Sequence, residues 1–339
     1  MVLEKSLAWV WIAPAALCAV ASISPSLATQ RAALFGPAVT PVAVTAETVP
    51  LDPGDPRRTR AGRLDFLGGV VLSSADGRFG GWSDLWIDPT GERLVAISDR
   101  GNFLDARLRS DASGAPLVVD QARIGPMIDT RGRRLSGRQT DAEALARTPD
   151  GGFIVAFERH HRLAYYPAAE PPFSLPARLL ASPPELTRAP ANGGIEALAA
   201  LDGGILLALS EDLVDAGGRV GWVGQPGQWR RFVYVAGQGF KPTGAGLLPG
   251  GDMIVVERHF TVLSGLATRL TRLPRAAIRP DARIVGDELA RIGSPRSQDN
   301  FEGVAARRTA AGTTLIYLLS DDNFSMLLRT VLFVFALVE

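Results

Sequence analysis

Five stretches of the chain repeat one pattern of apolar and polar positions. Each opens with a short apolar run that carries an acid or a hydroxyl near its start, passes through a polar turn, and ends in a second apolar run closed by charge. The copies are "GGWSDLWIDPTGERLVAISDRG" from Gly80, "TDAEALARTPDGGFIVAFERH" from Thr140, "GGIEALAALDGGILLALSED" from Gly193, "PTGAGLLPGGDMIVVERH" from Pro242 and "NFEGVAARRTAAGTTLIYLLSDDN" from Asn300. Runs this short, bounded by Asp-Gly and Gly-Gly turns, predict β-hairpins; helices need longer periodic segments without interrupting glycines. The runs are apolar throughout rather than alternating, so both faces are expected to be buried, as on inner strands of packed sheets.

The leading positions Asp84, Glu143, Glu196, Thr243 and Glu302 are separated by 59, 53, 47 and 59 residues. A repeat near this length, with two strong inner strands and fainter outer ones, predicts an all-β β-propeller. A parallel β-helix is excluded by the long unit and by the hairpins, which make antiparallel sheets. The expectation is five or six four-stranded antiparallel blades, with a sixth hidden between Leu266 and Asp299. The ring is expected to close by pairing the strand "RLDFLGGVVLSS" near the N-terminus with the C-terminal "LLRTVLFVFALVE", leaving no free edge.

Blade geometry then sorts the acids. The start of the first strand and the end of the second lie on one face of a hairpin. Asp84 is 15 residues from Asp99, Glu143 is 15 from Glu158, Glu196 is 15 from Glu211, and Glu302 is 19 from Asp321 across a longer turn. An inner ring of Asp84, Glu143, Glu196 and Glu302 is therefore predicted at one mouth of the channel. An outer ring of Asp99, Glu158, Glu211, Glu257 and Asp321 surrounds it. Crowded carboxylates repel and are costly to desolvate, so something must offset their charge. Hard oxygen ligands from several blades suit Ca²⁺, with Asp84, Glu143, Glu196, Glu302 and Asp321 as the candidate ligands. The competing reading is a ring of salt bridges to Arg100, Arg159 and Arg258, which directly follow outer acids. Asp99, Arg100, Arg159, His160, Arg258 and His259 form the candidate catalytic set, as proton carriers and as stabilisers of developing negative charge. Thr243 breaks the inner ring, and Lys241 beside it is a second reading of a phosphate contact or a surface residue.

The rest of the sequence narrows the field. The chain has 339 residues, 46% of them hydrophobic and 21% charged, and a net charge of +1, which gives no electrostatic reason to expect nucleic acid as partner. No HExxH or GxSxG motif is present, so zincin and α/β-hydrolase chemistry are not indicated. Residues 1–28 read as a signal peptide cleaved near Ala28, with an uncleaved membrane anchor as the alternative. The single cysteine, Cys18, falls inside that segment, which suits a periplasmic or secreted product without disulfides. Residues 29–62, rich in Pro and Thr, are expected as a flexible linker, with the folded domain at 63–339.

As an ordered set, "GGWSDLWID…AISDRG", "DAEALA…FERHH", "GGIEALA", "NFEGVA" and "LLSDDNFS" resemble the bacterial phytase-like propeller family, termed "esterase-like activity of phytase". The resemblance spans about residues 63–338. It implies an exported propeller with phosphoester or ester hydrolase activity, and it carries over no catalytic residue. Two functions follow as expectations: a Ca²⁺-assisted hydrolase of a small phosphoester or ester at the acidic mouth, or a non-catalytic periplasmic binding propeller. A lactonase-type hydrolase is the further alternative. The expected partner is a small molecule, with no nucleic acid, no membrane once the signal is removed, and a monomeric chain.

Overall fold

The computed structural model describes residues 39–263, 265–293 and 299–338; the expected signal peptide at 1–28, with Cys18, lies outside the described residues. Five small antiparallel-built sheets make up the described chain, with only short 3-10 turns besides. Their innermost strands are Trp82–Ile87, Ala142–Arg147, Ile195–Ala200, Lys241–Leu247 and Asn300–Arg308, here blades I to V. Each inner strand packs against the inner strands of the neighbouring blades, and blade V packs back on blade I. The core is correspondingly divided into five apolar layers, one between each pair of adjacent blades.

The blades hold four to six strands rather than a uniform four. The expected sixth blade is absent among the described residues. Gly265–Leu273 and Asp287–Gly293 complete blade IV, and Arg283–Val285 adds a parallel edge to blade III. In blade V, Leu64–Ser73 pairs antiparallel with Thr330–Leu337, so strands from both ends of the described chain share one sheet. The described part of the expected linker is also strand-forming. Thr45–Val49 pairs with Leu64–Ser73, and Thr40–Pro41 pairs with Pro116–Pro126 of blade I.

The hairpin turns follow from their residues. Gly91, Gly151, Gly251 and Gly312 stand at one matching position with φ between 82° and 88°, where a side chain is strained. Asp88 fixes its turn further, accepting from the N–H of Glu92 at 2.7 Å and of Arg93 at 2.8 Å. The inner strands are rich in Ala and Gly because they must approach closely. A Cβ on Gly244 would run into the carbonyl oxygen of Glu302 on the next blade. None of the described helices is long and apolar enough to cross a membrane.

Candidate functional site

Every inner strand carries a β-bulge at its mouth end, and the bulges define the true ring. Pairing skips Ser83, Glu143, Glu196, Thr243 and Glu302 in blades I to V. An unpaired residue at a bulge is free of the ladder's alternation, and the strand can re-aim its side chain there. The first residues beyond the pairs just outside the bulges are Asp99, Glu158, Glu211, Arg258 and Asp321.

Two assignments therefore shift by one residue. The blade I turn holds six residues, Asp88 to Arg93, against five in blade II, so the 15-residue spacing pointed to Asp84 instead of Ser83. Asp84 lies deeper and is wholly buried. Its Oδ1 accepts from the N–H of Leu85 at 2.8 Å and its Oδ2 from the N–H of Leu145 at 2.7 Å, tying blade I to blade II. Burial holds its carboxyl well above the usual range despite those donors. In blade IV, "ERH" resembles "ERHH" of blade II but is offset by one. Arg258, not Glu257, takes the outer position, and Glu257 is buried among the Tyr234 hydroxyl, the Gly237 N–H and Arg269, the last at 2.8 Å.

The same offset separates the histidines. His160 points to a side cavity lined by Arg131, Gln139 and Arg162, and His259 packs on the Phe240 ring with centroids 5.2 Å apart. The histidine that reaches the mouth is His161, which the sequence analysis did not single out. Its Nε2 donates to the Pro190 carbonyl at 2.8 Å. Its Nδ1 is buried with no hydrogen-bond partner, beside Gly194 and Glu158.

Asp141 is the second residue the spacing missed. It lies two positions before Glu143, immediately ahead of the strand Ala142–Arg147. Carboxylate oxygens of Asp141, Glu143 and Glu158 come within 4.8 Å of one another. Arg159 Nε meets Asp141 at 2.7 Å. Burial, reinforced by Glu302, Asp141, Glu158 and Asp99, raises Glu143 well above the usual carboxylate range. Glu158 is pushed up to about 7 by burial, against the pull of the Gly194 and Gly193 N–H donors. Across the ring, burial and Glu302 push Asp321 up to about 8, although the Asn323 N–H donates to it at 2.7 Å. Glu196 is raised by burial and by Glu211, Glu143, Glu158 and Glu302. Asp99 is raised by burial and by Asp141. Glu143 and Glu196 keep some solvent contact along the channel while protein surrounds them on every side.

Other cations stand around the rest of the mouth. Arg258 donates to Asn300 at 3.0 Å, to Glu302 at 2.9 Å and to Glu211 at 3.3 Å, joining blades III, IV and V. Lys241 Nζ meets Asp212 at 2.6 Å and Glu211 at 3.7 Å. Arg100 stands over the Phe324 ring, 3.2 Å from its centroid. The loop bearing Phe324 is fastened across the seam between blades V and I, where Asp322 accepts the Gly81 N–H at 2.9 Å. Asn323 and Phe324 both take left-handed backbone angles there, φ 47° and 48°.

Comparison with known proteins fits this architecture. The phytase-like family, described as esterase-like activity of phytase, matches residues 77–324. The chain belongs to the phytase-like family. No curated protein matches it. Among solved structures, the phytase-like chain is similar to an α-L-arabinofuranosidase from Podospora anserina, at 11% identity and a TM-score of 0.51, covering 81% of this chain and 97% of that one. It is also similar to a gluconolactonase from Xanthomonas campestris, at 14% identity and a TM-score of 0.42, covering 88% and 98%. Likeness at these identities speaks to the fold alone.

The donor set of this phytase-like mouth fits a divalent cation. Three carboxylates converge at one point, further acids surround them, and the His161 Nδ1, buried without a hydrogen-bond partner, stands at the edge. All-oxygen clusters of this kind match hard cations such as Ca²⁺.

Proposed function

We propose that this phytase-like protein is an exported, metal-assisted hydrolase acting on small esters or lactones at the acidic mouth. The convergence of Asp141, Glu143 and Glu158 is the observation that supports it. These three would hold a divalent cation, Ca²⁺ by their chemistry, with Glu196 and Glu302 next to them on the ring. The cation supplies Lewis acidity toward a carbonyl or phosphoryl oxygen. Arg258 keeps Glu211 and Glu302 in fixed positions, and Asp99, beside Asp141 and Arg100, carries the proton exchanged in hydrolysis.

Esters are favoured over polyphosphates because Arg159, Lys241 and Arg258 already face carboxylates, while Arg100 lies over the Phe324 ring. Arg159 is paired with Asp141, Lys241 with Asp212, and Arg258 with Glu211 and Glu302. A multiply charged phosphoester would need those cations for itself. Export rests on the N-terminal segment, "LAWVWIAPAALCAVASIS" followed by "SLATQ".

The test is calorimetric titration of Ca²⁺ into chelator-treated protein, with Glu143→Gln alongside, followed by hydrolysis assays on p-nitrophenyl acetate, p-nitrophenyl phosphate and γ-butyrolactone. Saturable binding weakened at least about tenfold in the variant, with Ca²⁺-dependent ester or lactone turnover, is expected. Absence of binding in the wild type would leave the carboxylates as a structural salt-bridge ring and remove the metal mechanism.

A further inference from the structure

A cavity of about 610 Å³ opens at the mouth between blades III, IV and V, next to the acids but apart from the Asp141, Glu143 and Glu158 cluster. Its volume lies in the range that suits a small organic ligand. Its walls are apolar. Phe260 and Leu266, paired across the blade IV hairpin, form one side, and Leu327 and Leu328 of the loop after Asp321 form the other. Phe260 is 63% exposed and Leu327 91% exposed. Large apolar side chains left at the rim of a cavity mark a surface with an apolar partner.

The floor is polar but balanced in charge. Lys241 and Arg258 line it, each already opposed by carboxylates, and Glu211 and Asn300 stand beside them. Arg258 uses three N–H groups on Asn300, Glu302 and Glu211, fewer than the five a guanidinium offers. Donors thus remain for a neutral acceptor, whereas an anion there would be repelled by the neighbouring Glu211 and Glu302 carboxylates.

We infer that this cavity is a specificity subsite for the apolar portion of an uncharged ester or lactone. A medium-length alkyl chain or a ring lies between the Phe260 and Leu327 walls, and the carbonyl end faces the polar floor and the acid ring. The inference rests on the hydrolase reading for its substrate class, and the following experiment separates the two. N-phenyl-1-naphthylamine, which fluoresces in apolar surroundings, is titrated into full-length chelator-treated protein and then displaced with γ-decalactone or γ-butyrolactone. Ca²⁺ affinity is measured in parallel. The expected result is saturable fluorescence, displaced by γ-decalactone at a concentration at least tenfold below that needed for γ-butyrolactone. Phe260→Ser combined with Leu327→Ser removes most of the signal and the chain-length preference, with melting temperature and Ca²⁺ affinity unchanged. Both side chains are exposed, so the double variant is expected to fold. Chain-length preference without any Ca²⁺ binding keeps the subsite and discards the metal. Ca²⁺ binding with no saturable fluorescence, or with fluorescence and displacement unaltered in the double variant, overturns the subsite and keeps the metal.

Discussion

Arg258 carries more of the mouth than any other single side chain. It occupies the place that an acid holds in four of the five blades, and it faces Glu211 and Glu302 together. Removing it leaves two crowded carboxylates without their counterion, the costly half of a partly buried pair. Arg258→Met is therefore expected to destabilise the fold by about 3 kcal/mol in chelator, read by urea denaturation, with part of the loss recovered when Ca²⁺ is added. The acids themselves make a second prediction. Glu158, raised to about 7, and Asp321, raised to about 8, hold protons in the folded state that the unfolded chain releases near pH 4. The stability those protons confer is full below about pH 4 and is lost as pH rises through 7 and 8. Metal-free protein should melt several degrees lower at pH 9 than at pH 5, and Ca²⁺ should raise the melting temperature more at pH 9 than at pH 5. An unchanged melting temperature across that window would mean the ring is not protonated in the folded protein.

At the scale of the hairpin, two glycines separate two kinds of constraint. Gly251 has φ 88° with open space around its absent side chain, so Gly251→Ala meets only backbone strain, about 1 kcal/mol. Gly244→Ala meets the Glu302 carbonyl of the next blade and forces two inner strands apart, so a cost of at least about 2 kcal/mol is expected. Equal costs in thermal unfolding would contradict the packing described for blades IV and V. The repeats themselves were legible in the sequence because turn chemistry and apolar runs are local. The bulges were not. A bulge is seen only when two strands are laid side by side, and a single extra turn residue in blade I hid the equivalence of Ser83 with Glu143. Likewise "ERH" matched by letters but not by register, which put His160 and His259 forward and left His161 and Asp141 unnoticed. Asp141 had a readable signal, a second acid only two positions from Glu143.

For the molecule as a whole, the five apolar layers between blades explain why the fold was more legible than its chemistry. Blade number follows from counting repeats, once Gly265–Leu273 and Asp287–Gly293 are seen as the outer strands of blade IV. The cavity beside the mouth is walled by loops such as Asp322–Leu328, whose placement depends on a neighbouring blade and has no periodic signature. The strand pairing within blade V yields a prediction at this scale. Deleting residues from Thr330 onward strips Leu64–Ser73 of its central partner and exposes the buried Val331 to Phe335 contact surface. The truncated chain is expected to lose cooperative thermal unfolding and to bind the dye 8-anilinonaphthalene-1-sulfonate. A sharp transition in the truncated chain would show that the other four blades hold together without it.

That pairing also sets an order of events. Leu64–Ser73 and Thr330–Leu337 are separated by most of the chain, so their contact carries a large loop-closure entropy and is expected to form late. Glu302 and Asp321 stand on the two blade V strands that depend on it. The mouth is thus incomplete until Thr330–Leu337 has been made and has met Leu64–Ser73. An ion taken up there would act as a latch on a finished ring, binding well only to chains that have closed.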